Sequence, residues 1–170
     1  PREVIPDNWL ATGDLGRLVV DGFLYITGRK KEILVTLGGK NIAPVYLESL
    51  LTQDPLILQA MIIGDNKPYL SALIVPNADL LKTEQQTLGL SDLSLTEALT
   101  HPKILTLYRT HIDRCLTNVS PHEQVGQFLL LETPFTIDAG LLTPKLTLRR
   151  QQIGQHYATE IAALYDTKKC

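Results

Sequence analysis

The sequence predicts an α+β fold, and three observations lead to this class. Apolar runs with strand character lie before residue 76 and again near residue 130. The stretch between them carries helical periodicity, and the two kinds of segment do not alternate in the strict order of βαβ units. A chain of 170 residues can bury the core of one domain, or of one domain with a piece of another.

The first predicted element is a β-hairpin. Residues 17–20 and 23–27 have strand character and flank Asp21-Gly22, a dipeptide that favours the tight type I′ turn. A further strand is expected at residues 32–36, and Gly38-Gly39 ends it.

A short helix and a second hairpin are expected next. Pro44 suits the first turn of a helix that ends before Pro55. Residues 56–64 and 69–75 are two apolar runs, and the turn-forming segment Asp65-Asn66-Lys67-Pro68 joins them. This arrangement predicts a pair of antiparallel strands.

Two capped helices are predicted in the middle of the chain. Asn77 can cap one helix, which Gly89 ends. Ser94 and Glu97 have the spacing of a capping box and open another.

Two longer segments are predicted to be helices with one core-facing side, and one strand lies between them. The helical segments begin at Pro102 and Arg149, and the strand covers residues 127–131. Apolar residues recur in each helical segment at steps of three and four. They are Ile104, Tyr108, Ile112, Cys115 and Val119, and then Ile153, Tyr157, Ile161 and Leu164.

The composition argues against several function classes. The net charge of −2, the hydrophobic fraction of 44% and the charged fraction of 20% are ordinary for a soluble globular protein. Neither nucleic acid nor an anionic membrane is favoured by this charge. Interleaved aromatic residues are missing from the three basic pairs, Lys30-Lys31, Arg149-Arg150 and Lys168-Lys169. No apolar run approaches the roughly 20 residues of a spanning helix. The chain begins at Pro1 without Met, which suits an excised fragment.

Cysteine and histidine usage is equally informative. Cys115 and Cys170 are too few for a disulfide framework, so a buried thiol and a terminal one in a reducing cytoplasm are expected. The four histidines lack metal-ligand spacing, and no metal site is predicted. They are His101, His111, His122 and His156.

Three motifs carry the candidate chemistry. The first covers residues 9–16 and includes Thr12-Gly13-Asp14. The second is Gly28-Arg29-Lys30-Lys31-Glu32, which the glycine-rich residues 38–44 follow. The third is Glu132-Thr133-Pro134-Phe135-Thr136 followed by residues 140–150, which end in Leu142-Thr143-Pro144-Lys145-Leu146-Thr147-Leu148-Arg149-Arg150. A carboxylate such as Asp14 can accept two hydrogen bonds at once. Glycines allow a ligand to approach the backbone closely.

Together the motifs resemble those of the adenylate-forming (AMP-binding) superfamily, and the third is similar to the closing motif of long-chain acyl-CoA synthetases. The long helical insert at residues 77–124 suits the same subgroup. The resemblance implies a small C-terminal domain with a β-hairpin and a mixed three-stranded sheet flanked by helices. A hairpin from the end of the large domain would precede it.

The resemblance also implies roles for individual residues. Asp14 would hold the ribose hydroxyls of ATP and of the acyl-adenylate, and Arg29 would contact the nucleotide. Lys31 would be the hinge of the small domain. Gly38-Gly39-Lys40 would line the route by which the thiol of coenzyme A enters. Mg²⁺ would accompany ATP and be bound mainly by the large domain.

The third motif departs from the family pattern at two positions. The lysine that the family uses for adenylation is expected at position 147, which holds Thr147, and Lys145 stands where the family usually has Thr. If the segment is extended, the two residues point to the same face and lie roughly 6–7 Å apart. Lys145 is therefore the expected cation, with Arg149 as the alternative. The remaining interpretation is that Lys145 is only solvated and that adenylation is weak or uses another arrangement.

The expected domain organisation follows from the resemblance. Residues 1–28 would end the large N-terminal adenylation domain, 29–31 would be the hinge, and 32–170 the mobile C-terminal domain. The whole enzyme would activate a long-chain fatty acid with ATP to acyl-AMP and pass the acyl group to coenzyme A. The fragment alone is expected to be inactive, because the phosphate-binding loop and the fatty-acid tunnel belong to the large domain. A cytoplasmic location is expected, and peripheral membrane contact stays open.

Two alternatives from other classes stay open at this point. One is a fatty acyl-AMP ligase that hands its product to a carrier protein. The other is a degenerate, non-catalytic synthetase module kept for protein contacts.

Overall fold

The computed structural model describes residues 12–18 and 20–166, and it confirms the α+β class. Trp9-Leu10-Ala11, Val19, Lys168-Lys169 and Cys170 lie outside the described residues. Two two-stranded sheets and one three-stranded sheet are found in the described part, together with six α-helices.

The first hairpin is present, but its turn differs from the predicted type. Strands β1 (Asp14–Leu18) and β2 (Leu24–Arg29) pair antiparallel, with Leu18 opposite Leu24 at the closed end. A type I′ turn needs positive φ at both central residues, whereas only Gly22 of Asp21-Gly22 has it, at +81°. The type I′ prediction is therefore wrong: the loop between the paired ends is longer than two residues, so Asp21 is not forced into the left-handed region.

The strand predicted at residues 32–36 is shorter than expected. Glu32, the first residue of the predicted strand, belongs instead to a 3₁₀ turn at Lys30–Glu32. Only β3 (Leu34–Val35) forms a strand, and it pairs with β4 (Asn41–Ile42). The loop between the strands is closed by Thr36, whose N–H donates to the Lys40 carbonyl at 3.1 Å and whose carbonyl accepts from Gly39.

The central sheet has three strands, β5 (Ile57–Ile63), β6 (Leu70–Pro76) and β7 (Val125–Leu130). Strands β5 and β6 form the predicted second hairpin, and β7 joins the other side of β6 in parallel, so the sheet is mixed. The parallel pairing requires a crossover, which the helical residues 77–124 provide.

Four helices cover one side of this sheet. They are α1 (Pro44–Leu51), α2 (Ala78–Thr87), α3 (Leu95–Thr100) and α4 (Pro102–Cys115). Both predicted N-caps are present: the Asn77 side chain accepts from the Leu80 N–H, and Ser94 with Glu97 forms the capping box. Gly89 follows α2 with φ +70°, as expected of a residue that ends a helix.

The tail from Arg149 forms two helices instead of one. Helix α5 (Arg150–His156) and helix α6 (Ala158–Leu164) are separated at Tyr157, whose φ of −106° and ψ of 27° leave the helical region. The predicted apolar stripe is still used, because Ile153 and Ile161 are both buried.

Strand β6 is buried along its whole length and separates two cores. Leu70, Ala72 and Ile74 face the first core, which lies under helices α1 to α4. Leu73 and Val75 face the second core, which includes Phe135 and the buried residues of α5 and α6. Because successive side chains of a strand point to opposite faces of the sheet, β6 contributes to both cores and joins them.

A buried carboxylate, Asp54, fastens α4 to the start of β5. Its Oδ1 accepts from the Leu56 N–H at 3.0 Å, and its Oδ2 accepts from His111 and Arg114, both at 2.7 Å. Burial raises the pKa of Asp54, but these hydrogen bonds together hold the pKa below its usual value. Cys115, expected to be buried, is half-buried beside Asp54, and burial raises the pKa of its thiol.

We predict that Asp54→Asn lowers the free energy of unfolding by about 1–3 kcal/mol at pH 7, because the charged acceptor is lost. The folded pKa of Asp54 is depressed. Its contribution is therefore present above the unfolded pKa and is lost as the pH falls through the folded one. Urea unfolding at pH 7 and at pH 3 tests this, with exposed Asp92→Asn as the control. A difference from wild type that stays constant down to pH 3 would contradict the assignment.

Candidate functional site

The first two motifs meet at the open end of the first hairpin. The antiparallel register places Asp14 directly opposite Arg29, and the Arg29 Nε lies 3.3 Å from the Asp14 Oδ1. The Lys30 N–H donates to the Gly13 carbonyl at 2.8 Å, and the Asp14 N–H donates to the Thr12 hydroxyl at 3.2 Å. Residues that are 15 positions apart in the chain therefore form one charged pair, because strand pairing brings them together.

The third motif is a tight hairpin loop, which corrects the extended conformation assumed from the sequence. The Leu146 N–H donates to the Thr143 carbonyl at 2.8 Å, and the Thr143 N–H donates to the Thr147 carbonyl at 2.9 Å. Leu146 has φ +60°. A β-turn followed by a left-handed residue is the usual form of a three-residue hairpin loop. Residues 145 and 147 thus do not share the face of one strand, and Lys145 lies at the tip of the loop.

The base of this loop is anchored in the second core. Leu142 and Leu148 form an antiparallel bridge, and the Arg149 N–H donates to the Leu141 carbonyl at 2.9 Å. Leu141 and Leu142 are buried there. The loop, which we call the closing loop (residues 143–147), therefore projects from a fixed base.

The hairpin and the closing loop line a common cleft of about 650 Å³. Asp14 and Arg29 lie on the hairpin side, and Lys145 lies on the side of the closing loop. Ile26 and Val45 add apolar surface between the charged groups. A cleft with apolar walls and a few convergent polar groups is the usual form of a small-molecule site.

The charges in the cleft are unevenly paired. Arg29 pairs with Asp14. Within the described part of the chain, no hydrogen bond or ion pair holds the side chain of Lys145 or of Glu32, although both line the cleft. The ammonium group of Lys145 is thus available to an anionic ligand.

The wall of the cleft contains an ion pair that the sequence analysis missed. Arg150 donates to both oxygens of Glu48, at 2.7 Å and 2.6 Å, and the Glu48 Oε1 also accepts from the Ile62 N–H at 2.7 Å. Glu48 is 8% exposed. A signal for it existed, because Glu48 sits between the apolar residues of a short helix, where a carboxylate needs a partner. We call this group the Glu48–Arg150 clamp.

Five other predicted site residues do not line the cleft, and Lys31 is one of them. Among the described residues, Gly38-Gly39-Lys40 and Arg149 are not part of its lining. The glycine loop instead lies beside the turn between β5 and β6, since the Leu37 N–H donates to the Lys67 carbonyl at 3.0 Å. Lys31 is exposed in the 3₁₀ turn that links the hairpin to the rest of the chain.

Comparison with known families identifies the class. The profile of the AMP-binding enzyme C-terminal domain matches residues 31–169, so the chain belongs to this family.

Two relatives illustrate the similarity in sequence. A long-chain-fatty-acid–CoA ligase of Mycobacterium tuberculosis is 39% identical over 165 residues, which are 96% of this chain and 28% of the relative. A long-chain-fatty-acid–CoA ligase of Rattus norvegicus is 35% identical over 181 residues, which cover 95% of this chain and 27% of the relative. The chain therefore spans less than a third of the length of these relatives.

Two solved structures illustrate the similarity in fold. The adenylation domain of a carboxylate reductase from Mycobacterium chelonae has a TM-score of 0.75 at 24% identity, covering 96% of this chain and 24% of that one. The adenylation and carrier didomain of a carboxylic acid reductase from Segniliparus rugosus, in complex with AMP, has a TM-score of 0.76 at 21% identity. It covers 96% of this chain and 22% of that one. At these identities the likeness concerns the fold alone.

A helix that spans a membrane must be both long and apolar. Within residues 12–18 and 20–166, no helix is both long and apolar enough to span a membrane.

We predict that Glu48→Ala lowers the free energy of unfolding by about 2–3 kcal/mol, because it leaves the Arg150 guanidinium and the Ile62 N–H unpaired. The double variant Glu48→Ala/Arg150→Ala should lose less than the sum of the two single variants. Urea unfolding measures all three, with exposed Glu160→Ala as the control. Strictly additive losses would show that the clamp is not a coupled unit.

Proposed function

We propose that this chain is the C-terminal part of an ATP-dependent long-chain fatty acid–CoA ligase. The observation that carries the proposal is the convergence of Asp14, Arg29 and Lys145 on one cleft. These residues come from all three motifs, and relatives across nearly the whole chain are long-chain-fatty-acid–CoA ligases. The activity belongs to the longer enzyme, of which the chain supplies one side of the active site.

The cleft residues fit an adenylate. The carboxylate of Asp14 accepts hydrogen bonds from vicinal ribose hydroxyls, and Arg29 beside it both orients that carboxylate and contacts the nucleotide. The apolar surface of Ile26 and Val45 suits the uncharged part of a ligand. Mg²⁺ would travel with the phosphates of ATP and is assigned no ligand in this chain.

Lys145 is the cation of the first half-reaction. In that step the fatty acid carboxylate attacks the α-phosphate of ATP, giving acyl-AMP and pyrophosphate. Negative charge reorganises on the phosphoryl oxygens, and an ammonium group without another partner can stabilise it electrostatically. The position of Lys145 at the loop tip, on the cleft, supports this role. Arg149 is the weaker candidate because it does not line the cleft.

The second half-reaction uses another face of the domain. The thiol of coenzyme A displaces AMP from acyl-AMP, giving the thioester. Gly38-Gly39-Lys40 would line the thiol's route, and its exposed backbone allows close approach. Because Lys145 lines the cleft and this loop does not, the domain would turn between the two steps.

The turn is proposed to occur at Lys31, with residues 1–28 belonging to the large domain and 32–170 to the mobile one. The 3₁₀ turn Lys30–Glu32 buries no residue, so little packing opposes a change of backbone angles there. The family match begins at the same residue. The N-terminal adenylation domain would be the principal partner of the chain.

We predict that Lys145→Ala in the full-length enzyme lowers ATP–pyrophosphate exchange with a long-chain fatty acid by about 10²–10³-fold, the range for a lost electrostatic donor. Thioester formation from supplied acyl-AMP should stay near wild type, because that step does not use Lys145. Arg149→Ala is the matched control and should leave exchange unchanged. The isolated 170-residue chain, which lacks most of the enzyme, should show no exchange.

Two results would contradict the assignment. Full exchange by Lys145→Ala together with a collapse in Arg149→Ala would move the role to Arg149. No exchange in the wild-type enzyme would favour a non-catalytic module.

We also predict that free coenzyme A is the acyl acceptor. A thioester assay with purified acyl-AMP should give acyl-CoA, and Gly39→Val should slow this step while leaving pyrophosphate exchange near wild type. Gly39 has φ +71°, so a β-branched residue there strains the loop that admits the thiol. Gly154→Ala, in helix α5 where a Cβ meets no atom within 4 Å, is the control. Transfer to a carrier protein but not to coenzyme A would replace this function with that of a fatty acyl-AMP ligase.

A further inference from the structure

Two threonine side chains face each other across the base of the closing loop. The hydroxyls of Thr143 and Thr147 are 2.7 Å apart, and the Thr147 N–H donates to the Thr143 Oγ1 at 3.2 Å. The backbones of the same two residues are joined by the bond from the Thr143 N–H to the Thr147 carbonyl. Both side chains are thus used within the loop and close it where its two arms meet.

The backbone of the closing loop is strained, so the hydrogen bonds between Thr143 and Thr147 are needed to stabilise it. Leu146 has φ +60°, a region that is unfavourable for a residue with a Cβ and that glycine or asparagine usually occupies. Its side chain is 69% exposed, so burial compensates little of the strain. The hydrogen bonds at the base of the loop are therefore the interactions that hold Leu146 in the left-handed region.

The hydrogen bonds between Thr143 and Thr147 also determine the orientation of Lys145. Lys145 occupies the second central position of the turn that the bond from Leu146 N–H to the Thr143 carbonyl closes. Its Cα and the direction of its side chain are set by this turn. If the loop opened to an extended strand, Lys145 would no longer lie at the tip of a loop that lines the cleft together with Asp14 and Arg29. Thr147 lines the same cleft but offers no charge of its own.

We propose that Thr147 is a positioning residue for adenylation, which acts by hydrogen bonding to Thr143 and holding Lys145 towards the cleft. This inference rests on the proposed function. Compared with the family pattern that the resemblance implies, the cation then stands at the tip of the loop, and the residue at 147 closes the loop that presents it.

The test compares two variants of the full-length enzyme. Thr147→Val keeps the shape of the side chain but removes the hydroxyl, and Thr147→Ser keeps the hydroxyl. In Thr147→Val, kcat for ATP–pyrophosphate exchange should fall about tenfold with little change in the KM for ATP, a factor that one neutral hydrogen bond can supply. Thr147→Ser should retain most of the wild-type rate. Thioester formation from supplied acyl-AMP should be the same in all three proteins.

The decisive measurement repeats Thr147→Val in the Lys145→Ala background. If Thr147 acts through Lys145, the second substitution should change the residual exchange rate little. Thr143→Val removes the hydroxyl contact from the other side and also the acceptor of the Thr147 N–H, so it should lower exchange at least as much as Thr147→Val; it gives a second variant should that one fold poorly. Its loss should likewise disappear when Lys145 is absent.

The outcomes separate this inference from the proposed function. Full exchange by the Lys145→Ala enzyme would overturn the role of Lys145 and this inference with it. A collapse in Lys145→Ala with wild-type exchange in Thr147→Val would overturn the inference alone. Equal losses from Thr147→Val with and without Lys145 would also overturn it, because the effect would then not pass through the lysine.

Discussion

The arrangement of the cleft depends on one buried carboxylate, Glu48. A charge removed from water must be paired and hydrogen-bonded, and the Glu48–Arg150 clamp achieves this with three short bonds from two other elements. The bond from the Ile62 N–H satisfies a donor at the open side of β5, and the fork of Arg150 fixes the first residue of α5. Glu48 thereby joins three elements at a single point: helix α1, the edge of the central sheet, and the chain that leaves the closing loop.

This clamp places one arm of the closing loop, while the second core places the other. Leu141 and Leu142 are buried before the loop, and Arg150 is held three residues after it. The loop is consequently fixed at both ends on a scaffold of helix and sheet, and only its tip is exposed. Strand pairing performs the same task for Asp14 and Arg29. Each charged group at the cleft is positioned by regular structure a few residues away, which is how a site built from short loops can hold a defined geometry.

Much of the fold could be predicted from the sequence because its signals are local. The caps at Asn77 and Ser94 and the apolar stripe of α4 depend on residues within one or two turns of helix. The strand predicted at residues 32–36 was too long, because a 3₁₀ turn takes its first residue. The single helix predicted for the tail was also too long, because the backbone leaves the helical conformation at Tyr157.

The candidate site was predictable only in part. Asp14, Arg29 and Lys145 were found through motifs, and the structure brings them to one cleft. The shape of the closing loop was not accessible, because it depends on Leu146 adopting a conformation that its residue type disfavours. The partners of Glu48 and Asp54 are equally hidden, as they lie 102 and 57 or 60 positions away along the chain. Pairings at such separations are decided by tertiary packing and leave no periodic trace in the sequence.

The position of β6 has a consequence for the order in which the chain can fold. Its first neighbour, β5, precedes it directly and can pair as soon as both strands exist, whereas β7 begins only at Val125. Closing that long crossover costs conformational entropy, and this cost arises before the contacts between β6 and β7 can stabilise the sheet. During synthesis, therefore, one edge of β6, a strand that is buried along its whole length in the folded chain, stays open while residues 77–124 emerge from the ribosome.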